Sequence, residues 1–231
     1  MGILGKLGAI LPDRYRTPLL RASHAAKIRR GTFVSSEPDF ALLGTLVESG
    51  DWAVDVGANV GVYTARLSDL VGETGRVFSF EAVPATFETL TVNMSHLRHR
   101  NVTLINAAMS DTAGEGVIHI PISKSGRRRP LDGWASLDYH PVPGALDEPD
   151  RVKVYCMPLD SLTFTHPIKL IKIDVEGHEL PALKGMTRTI REHSPILIVE
   201  AWTEVVLDYL ATLDYVWEKP GGFSNYIARR A

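Results

Sequence analysis

Three short stretches hold the side chains best placed for chemistry. The first is Asp55-Val56-Gly57-Ala58-Asn59-Val60-Gly61, at the junction of an apolar run and a helical pattern. Glycine there lets backbone approach a ligand closely, and the start of the helix offers free N–H groups. Gly57 and Gly61, with three residues between them, do not match the G-x-G-x-x-G spacing of dinucleotide sites. Asp55, just before the loop, would repel a pyrophosphate and attract a cationic group such as an ammonium or a sulfonium. Taken alone, the loop is also compatible with a plain glycine-assisted turn. The second element is Glu81, 24 residues after Gly57. At about that distance, nucleoside-binding sheets place a carboxylate that accepts hydrogen bonds from both ribose hydroxyls. By itself Glu81 reads equally as a strand-end glutamate in solvent. The third is Asp174-Val175-Glu176-Gly177-His178-Glu179. Asp174 ends an apolar run, where open α/β sheets bind their ligands. If the chain stays extended, Asp174 and Glu176 point to one side. Gly177 permits a sharp turn, and His178 can open the next helix. Two carboxylates and an imidazole can position and deprotonate a hydroxyl, or hold a metal. The plainer alternative is that Glu176 and Glu179 favour the positive end of that helix, with His178 at the surface.

Positioning these groups requires strands that end beside one another. Trp52–Val56 reads as a buried strand, followed by Val60, Tyr63, Leu67, Leu70 and Val71 at helical spacing. Arg76–Glu81 is a second strand, and Pro84 suits the first turn of a helix with the stripe Phe87, Leu90, Met94 and Leu97. Val102–Asn106 is a third strand. The order β-α-β-α-β predicts a parallel sheet with right-handed crossovers. Alternation at Ile118, Ile120 and Ile122, and at Val152, Val154 and Cys156, predicts two antiparallel strands added to that sheet. Between them, residues 123–150 are rich in Ser, Gly, Arg, Pro and Asp, a length that suits a lid or binding loop. The α/β rhythm resumes with a strand at Ile168–Asp174, a helix carrying Leu180, Leu183 and Ile190, and a strand at Pro195–Glu200. Tyr215–Trp217 and Ser224–Ala228, separated by Pro220-Gly221-Gly222, predict a closing antiparallel pair.

In that order, Asp55–Gly61, Phe80-Glu81-Ala82-Val83-Pro84 and Ile171–Glu179 resemble the signatures of the FkbM family of S-adenosylmethionine-dependent methyltransferases. Pro158-Leu159-Asp160-Ser161-Leu162 is similar to the family's stretch before the third signature. The likeness runs from about Asp51 to the C-terminus and leaves out the first thirty residues and the 123–150 loop. It implies the class I methyltransferase fold, a Rossmann-like, doubly wound, mostly parallel seven-stranded sheet with a C-terminal antiparallel hairpin. It also implies S-adenosyl-L-methionine as cofactor and a hydroxyl of a sugar, glycolipid or other natural product as methyl acceptor. On that likeness Gly57, Ala58, Asn59 and Gly61 wall the methionine part of the cofactor, with Asp55 near its ammonium. Glu81 holds the ribose, Ala82 lines the adenine side, and Asn106 and Ala107 border the adenine. Asp174 faces the methyl-donor end, and Asp174, Glu176 and His178 are the candidates for orienting the acceptor or taking its proton. The acidic cluster leaves room for a divalent ion without requiring one.

Composition narrows the remaining choices. The 231 residues carry a net charge of −2, split into +6 over residues 1–30 and −8 over the rest. This marks 1–36 as a basic N-terminal arm with helices, able to dock on the acidic body or to touch an anionic membrane surface. Residues 37–231 then form the methyltransferase domain, with 123–150 as its substrate lid. The near absence of aromatics in the arm and a pI of about 6.4 argue against nucleic acid as partner. The single cysteine, Cys156, excludes an internal disulfide and favours a reducing, cytoplasmic setting. No run of about 18 apolar residues is present to span a membrane. The apolar opening is broken by Pro12 and lacks a signal-peptide layout. Two alternatives stand beside the transferase reading: a nicotinamide-dependent oxidoreductase, disfavoured by the glycine spacing and Asp55, and a non-catalytic cofactor-binding protein.

Overall fold

A computed structural model describes residues 13–124, 130–138, 142–146, 148–221 and 224–231. The chain runs through α1 (Asp13–Arg29), α2 (Pro38–Leu46), β1 (Trp52–Val56), α3 (Val62–Val71), β2 (Arg76–Phe80), α4 (Pro84–Met94) and β3 (Val102–Ile105). It continues through β4 (Ala108–Met109), β5 (Gly114–Ile120), β6 (Asp150–Met157), β7 (Ile168–Ile173), α5 (Glu179–Lys184) and α6 (Thr187–His193). Last come β8 (Ile196–Glu200), α7 (Glu204–Ala211), β9 (Tyr215–Glu218) and β10 (Asn225–Arg230).

Seven of these strands form one sheet in the order β3-β2-β1-β7-β8-β10-β9. The first five are mutually parallel, and β10 runs antiparallel to β8 and β9. Helices cover both faces, which is why β1 and β7 read as nearly unbroken apolar runs rather than alternating ones. On one face Val54, Val56, Ile171, Ile173, Leu197 and Val199 pack with Leu183, Ile190 and Leu210. On the other, Ala53, Leu170 and Ile198 meet Phe40 and Leu43 of α2 and Tyr63 and Leu67 of α3. Neither α2 nor α7 is anticipated by the sequence reading, although Phe40, Leu43 and Leu46 recur at helical spacing behind Pro38.

Two expectations are corrected. Strands β5 and β6 do pair antiparallel, but they join β4 in a separate three-stranded sheet and are not added to the main one. Their apolar sides close over a core of their own, in which Ile118, Ile120, Val154 and Cys156 pack with Ala108 and Val83. Ile122 lies beyond the end of β5, fully buried, bridging to Pro130. The helix expected to carry Leu180, Leu183 and Ile190 is two helices, broken at Gly185-Met186. A side chain at Gly185 would put its Cβ 2.0 Å from the Ser110 carbonyl oxygen. Across the break Asp160 accepts hydrogen bonds from the Arg188 and Thr189 amides at 2.8 and 2.9 Å, satisfying free donors at the start of α6.

Helix α1 packs on α4 through an Arg21–Glu88 ion pair at 2.9 Å and a hydrogen bond from Asn93 to His24 Nδ1 at 3.1 Å. The Arg127-Arg128-Arg129 run lies outside the described residues.

Candidate functional site

The C-terminal ends of β2, β1, β7 and β8 lie side by side, each with an acidic residue within or directly after it: Glu81, Asp55, Asp174 and Glu200. The loop after β1 folds back onto β2, with the Gly57 and Ala58 amides donating to the Phe80 carbonyl at 3.0 and 2.9 Å. Gly57 has φ +77°, and a Cβ there would lie 1.7 Å from the Asp174 carbonyl oxygen. Its glycine is therefore demanded by the close approach of the β1 and β7 ends. Gly61, at φ +93° before α3, sits where a Cβ would press on Met94 and Leu90 within 2.6 Å. Asn59 takes the left-handed conformation, φ 49°, which asparagine tolerates better than most residues.

These ends enclose a cavity of about 440 Å³, within the range of small-molecule sites. Its walls include Gly57, Ala58, Asn59, Glu81, Ala82, Ala107, Asp174, Glu176 and His178. Gly61 and Asn106 do not line it. Asn106 braces the wall by donating to the Glu81 and Ala82 carbonyls at 2.7 and 3.1 Å. Asp55 does not line it either: it is fully buried on the face covered by α2 and α3, accepting the Thr64 hydroxyl at 2.6 Å. Burial raises the Asp55 pKa, while the neighbouring Lys172 charge pulls it down. Its Oδ1 has no hydrogen-bond partner among the described residues.

Glu81 is anchored at both oxygens. Oε2 accepts the Asn59 amide at 2.9 Å and Oε1 the Val83 amide at 2.8 Å. Burial pushes its pKa up to about 7, against the opposing pull of those two donors. An apolar slot of Ala82, Val83, Ala107, Met109 and Ile118 adjoins it.

Lys172 is a site residue that the sequence reading passed over as part of an apolar strand. It pairs in register with Asp55, so both side chains share a face, and it lines the cavity while only 4% exposed. Its ammonium donates to Asp174 Oδ2 at 2.9 Å and lies 4.7 Å from the centre of the Tyr63 ring. Burial pulls its pKa down, but Asp174 and Asp55 outweigh that and hold it above the ordinary lysine value. The Tyr63 hydroxyl bonds to the carboxylates of Glu37 and Asp39, and Asn225 donates to Asp39 at 2.8 Å. Glu37, with Val34 to Ser36, thereby brings the segment before α2 into the wall.

The chain does not stay extended after Asp174: Glu176 has φ +53° and Gly177 φ +100°. The turn still brings one carboxylate oxygen each of Asp174, Glu176 and Glu200 within 4.8 Å of one another. Burial, then the charges of Asp174 and Glu179, push Glu176 up to about 8. Burial, then Asp174 and Glu176, push Glu200 up to about 9. Three such oxygens resemble the donor set of a hard divalent cation, but the cation placed against Asp174 is the Lys172 ammonium. Glu179 accepts the Val175 and Gly177 amides at 3.2 and 3.0 Å and so fixes the turn. His178 stands at the start of α5 with both ring nitrogens engaged, Nδ1 with Asp138 Oδ2 at 2.6 Å and Nε2 with the Ser110 hydroxyl at 3.0 Å. A second cavity, of about 640 Å³, adjoins the first and shares Ser136 and Glu176 with it.

A mostly parallel seven-stranded sheet, closed by an antiparallel hairpin and carrying its cavity at the strand C-termini, defines the class I methyltransferase fold. The Methyltransferase FkbM domain matches residues 55–216, and the chain belongs to that family. The structure of Methyltransferase FkbM from Methylobacillus flagellatus KT shares the fold, with a TM-score of 0.55 and 18% identity over 98% of this chain and 57% of that one. The Hexuronic acid methyltransferase AglP of Haloferax volcanii is 27% identical over 151 residues, 65% of this chain and 56% of the relative. A Protein-L-isoaspartate O-methyltransferase of Methanothrix thermoacetophila is 29% identical over 97 residues, 41% of this chain and 46% of the relative. The chain thus spans about half the length of the curated relatives it matches. No helix among the described residues is long and apolar enough to cross a membrane.

Proposed function

We propose that the protein is an S-adenosylmethionine-dependent O-methyltransferase that methylates a hydroxyl of a sugar, glycolipid or other natural product. The observation that carries this reading is the row of carboxylates around the first cavity. Glu81 stands beside an apolar slot, and Asp174 and Glu176 line the wall some strands away, with Glu200 converging on them from behind. When bound, the cofactor supplies a methyl group on a positively charged sulfur, already electrophilic. The protein's task is then alignment, exclusion of water and removal of one proton.

In this reading Glu81 accepts the ribose hydroxyls with the lone pairs left over from its two backbone donors. Ala82, Ala107, Met109 and Ile118 enclose the adenine, and Gly57, Ala58 and Asn59 follow the amino-acid part. Asp174 faces the cationic end, its own charge balanced in part by Lys172. Asp55 acts one layer back, through Lys172. We assign the general base to Glu176 rather than His178. Glu176 lines both cavities and has a proton affinity near neutrality, which suits a base at physiological pH. His178 is held between Asp138 and Ser110 and positions the segment that carries Asp138. We assign residues 37–231 to the catalytic domain and residues 1–36 to an arm whose helix α1 rides on α4.

Calorimetry with S-adenosylmethionine and its demethylated product tests the donor site, and transfer of a labelled methyl group to a panel of glycosides tests the activity. Failure of either compound to bind refutes the reading. Binding without transfer to any hydroxyl acceptor favours the non-catalytic alternative.

A further inference from the structure

The second cavity lies against the first where an acceptor must stand, because Ser136 and Glu176 belong to both walls. Two tryptophans face it, Trp134 at 48% and Trp202 at 58% exposure. Large aromatic rings left half in water beside a cavity are unspent binding surface, since each loses water when a ligand with an apolar face covers it. The ionisable side chains on the described walls are acidic apart from His119. Asp138, Glu176 and Glu179 line the cavity, and no lysine or arginine does so among the described residues.

Resting on the reading of the first cavity as the donor site, we propose that the second cavity is the acceptor site. Its walls select an electrically neutral glycoside, stacked by an apolar ring face on Trp134 and Trp202, against a uronate or a sugar phosphate. An anionic acceptor would give up its hydration beside acidic side chains, with no lysine or arginine among the described residues of the wall to repay it. A neutral ring gives up far less and gains the aromatic surface. Glu176, at the junction of the two cavities, then meets the hydroxyl to be methylated. This separates the chain from its relative named for hexuronic acid by substrate charge, while both remain sugar-directed.

The test uses methyl hexopyranosides and the matching methyl hexuronosides, which differ in one carboxylate. Binding is read from intrinsic tryptophan fluorescence with no methyl donor in the mixture. The full-length protein should bind the neutral glycoside at least about tenfold more tightly than the uronoside. Trp134→Ala and Trp202→Phe should each weaken the neutral glycoside by about tenfold while leaving calorimetric affinity for the demethylated donor unchanged. Because the fluorescence of those variants is altered, their glycoside affinity is read by calorimetry. Val205→Lys, at a wall position 55% exposed and so tolerant of substitution, should strengthen the uronoside several-fold relative to the neutral glycoside. Equal or tighter binding of the uronoside to the unmodified protein, undiminished neutral binding in both tryptophan variants, or no binding of any glycoside would overturn the proposal. Loss of donor binding alone, with glycoside binding intact, would instead overturn the reading of the first cavity.

Discussion

Replacing Glu81 with glutamine changes one atom and one charge, and its consequences can be worked through from the geometry. Both carboxylate oxygens accept backbone N–H groups, from Asn59 and Val83. A glutamine keeps one of these bonds and turns its NH₂ toward the other donor, leaving a buried N–H without a partner. That costs about 1–3 kcal/mol of stability. On the proposed reading the same change removes a charged acceptor from the ribose, weakening the demethylated donor by about 5-fold to about 150-fold. Proton release supplies an independent signature. With its pKa at about 7, Glu81 is protonated in about half of the free molecules at about pH 7. A ligand that needs the ionised form should then release about half a proton, seen in calorimetry as a dependence of the apparent heat on buffer ionisation enthalpy. Glu81→Gln should abolish that release. An affinity within about twofold of the parent, with proton release retained, would refute both the ribose assignment and the titration argument.

Glu176→Gln should lower turnover by about 10²–10⁴-fold with donor affinity nearly unchanged. His178→Ala should cost less turnover than Glu176→Gln, and the reverse order in single-turnover assays would make the imidazole the base. Glu81, Glu176 and Glu200 all hold protons more tightly folded than unfolded. Their contribution to stability is therefore complete below the ordinary glutamate pKa and is lost as pH rises through about 7, 8 and 9. Urea midpoints should accordingly fall between about pH 6 and about pH 9, and a rise would reverse the assigned sign. Lys172→Met leaves Asp55 and Asp174 without their cation and should destabilise by about 3–5 kcal/mol. Partial recovery in Lys172→Met with Asp174→Asn, read in the same urea titration, would identify the charge rather than the packing as the cause. Gly57→Ala, forced to φ +77° against the Asp174 carbonyl, should cost on the order of 3 kcal/mol or more; a thermal midpoint unchanged from the parent would contradict that clash.

The main sheet was legible because its strands are buried on both faces, so β1, β2, β7 and β8 stand out as apolar runs whatever their neighbours. The hairpin of β9 and β10 was legible from Pro220-Gly221-Gly222, a local signal. The second sheet was legible only in part, because alternation at Ile118 and Val154 reveals its two antiparallel strands but not that they stand apart from the main sheet. Its third member, β4, is two residues long and pairs with β6 some fifty residues away. The break at Gly185 depends on the approach of Ser110 from a distant loop, which no helical periodicity reveals. Gly57, Glu81 and Asp174, next to strand ends, line the cavity, whereas Asp55, on its strand, does not. Asp55 precedes a glycine loop, which suggests a place near a cationic group, but the alternation along β1 turns it toward α3. The same alternation along β7 would have exposed Lys172 as its neighbour. Glu200 carried a usable signal, a carboxylate closing the strand beside Asp174. Glu37 carried none, since only the fold brings it to Tyr63.

The distribution of charge at the strand ends also bears on which ligand the site can hold. The ends of four adjacent strands carry Glu81, Asp55, Asp174 and Glu200, with Glu176 on the turn and the buried ammonium of Lys172 among them, and Glu81, Asp174 and Glu176 line the cavity. Burial and mutual repulsion raise the proton affinities of the glutamates until they overlap neutral pH. A site in that condition takes up positive charge from whatever source offers it, as protons in the free protein or as a cationic ligand in the complex. A sulfonium with an α-ammonium group would supply two positive charges at the Asp174 end and release protons as it binds. A nicotinamide dinucleotide would bring a pyrophosphate to the same carboxylates and drive proton uptake instead. The sign of the proton exchange on ligand binding therefore separates the transferase from the oxidoreductase before any product is measured.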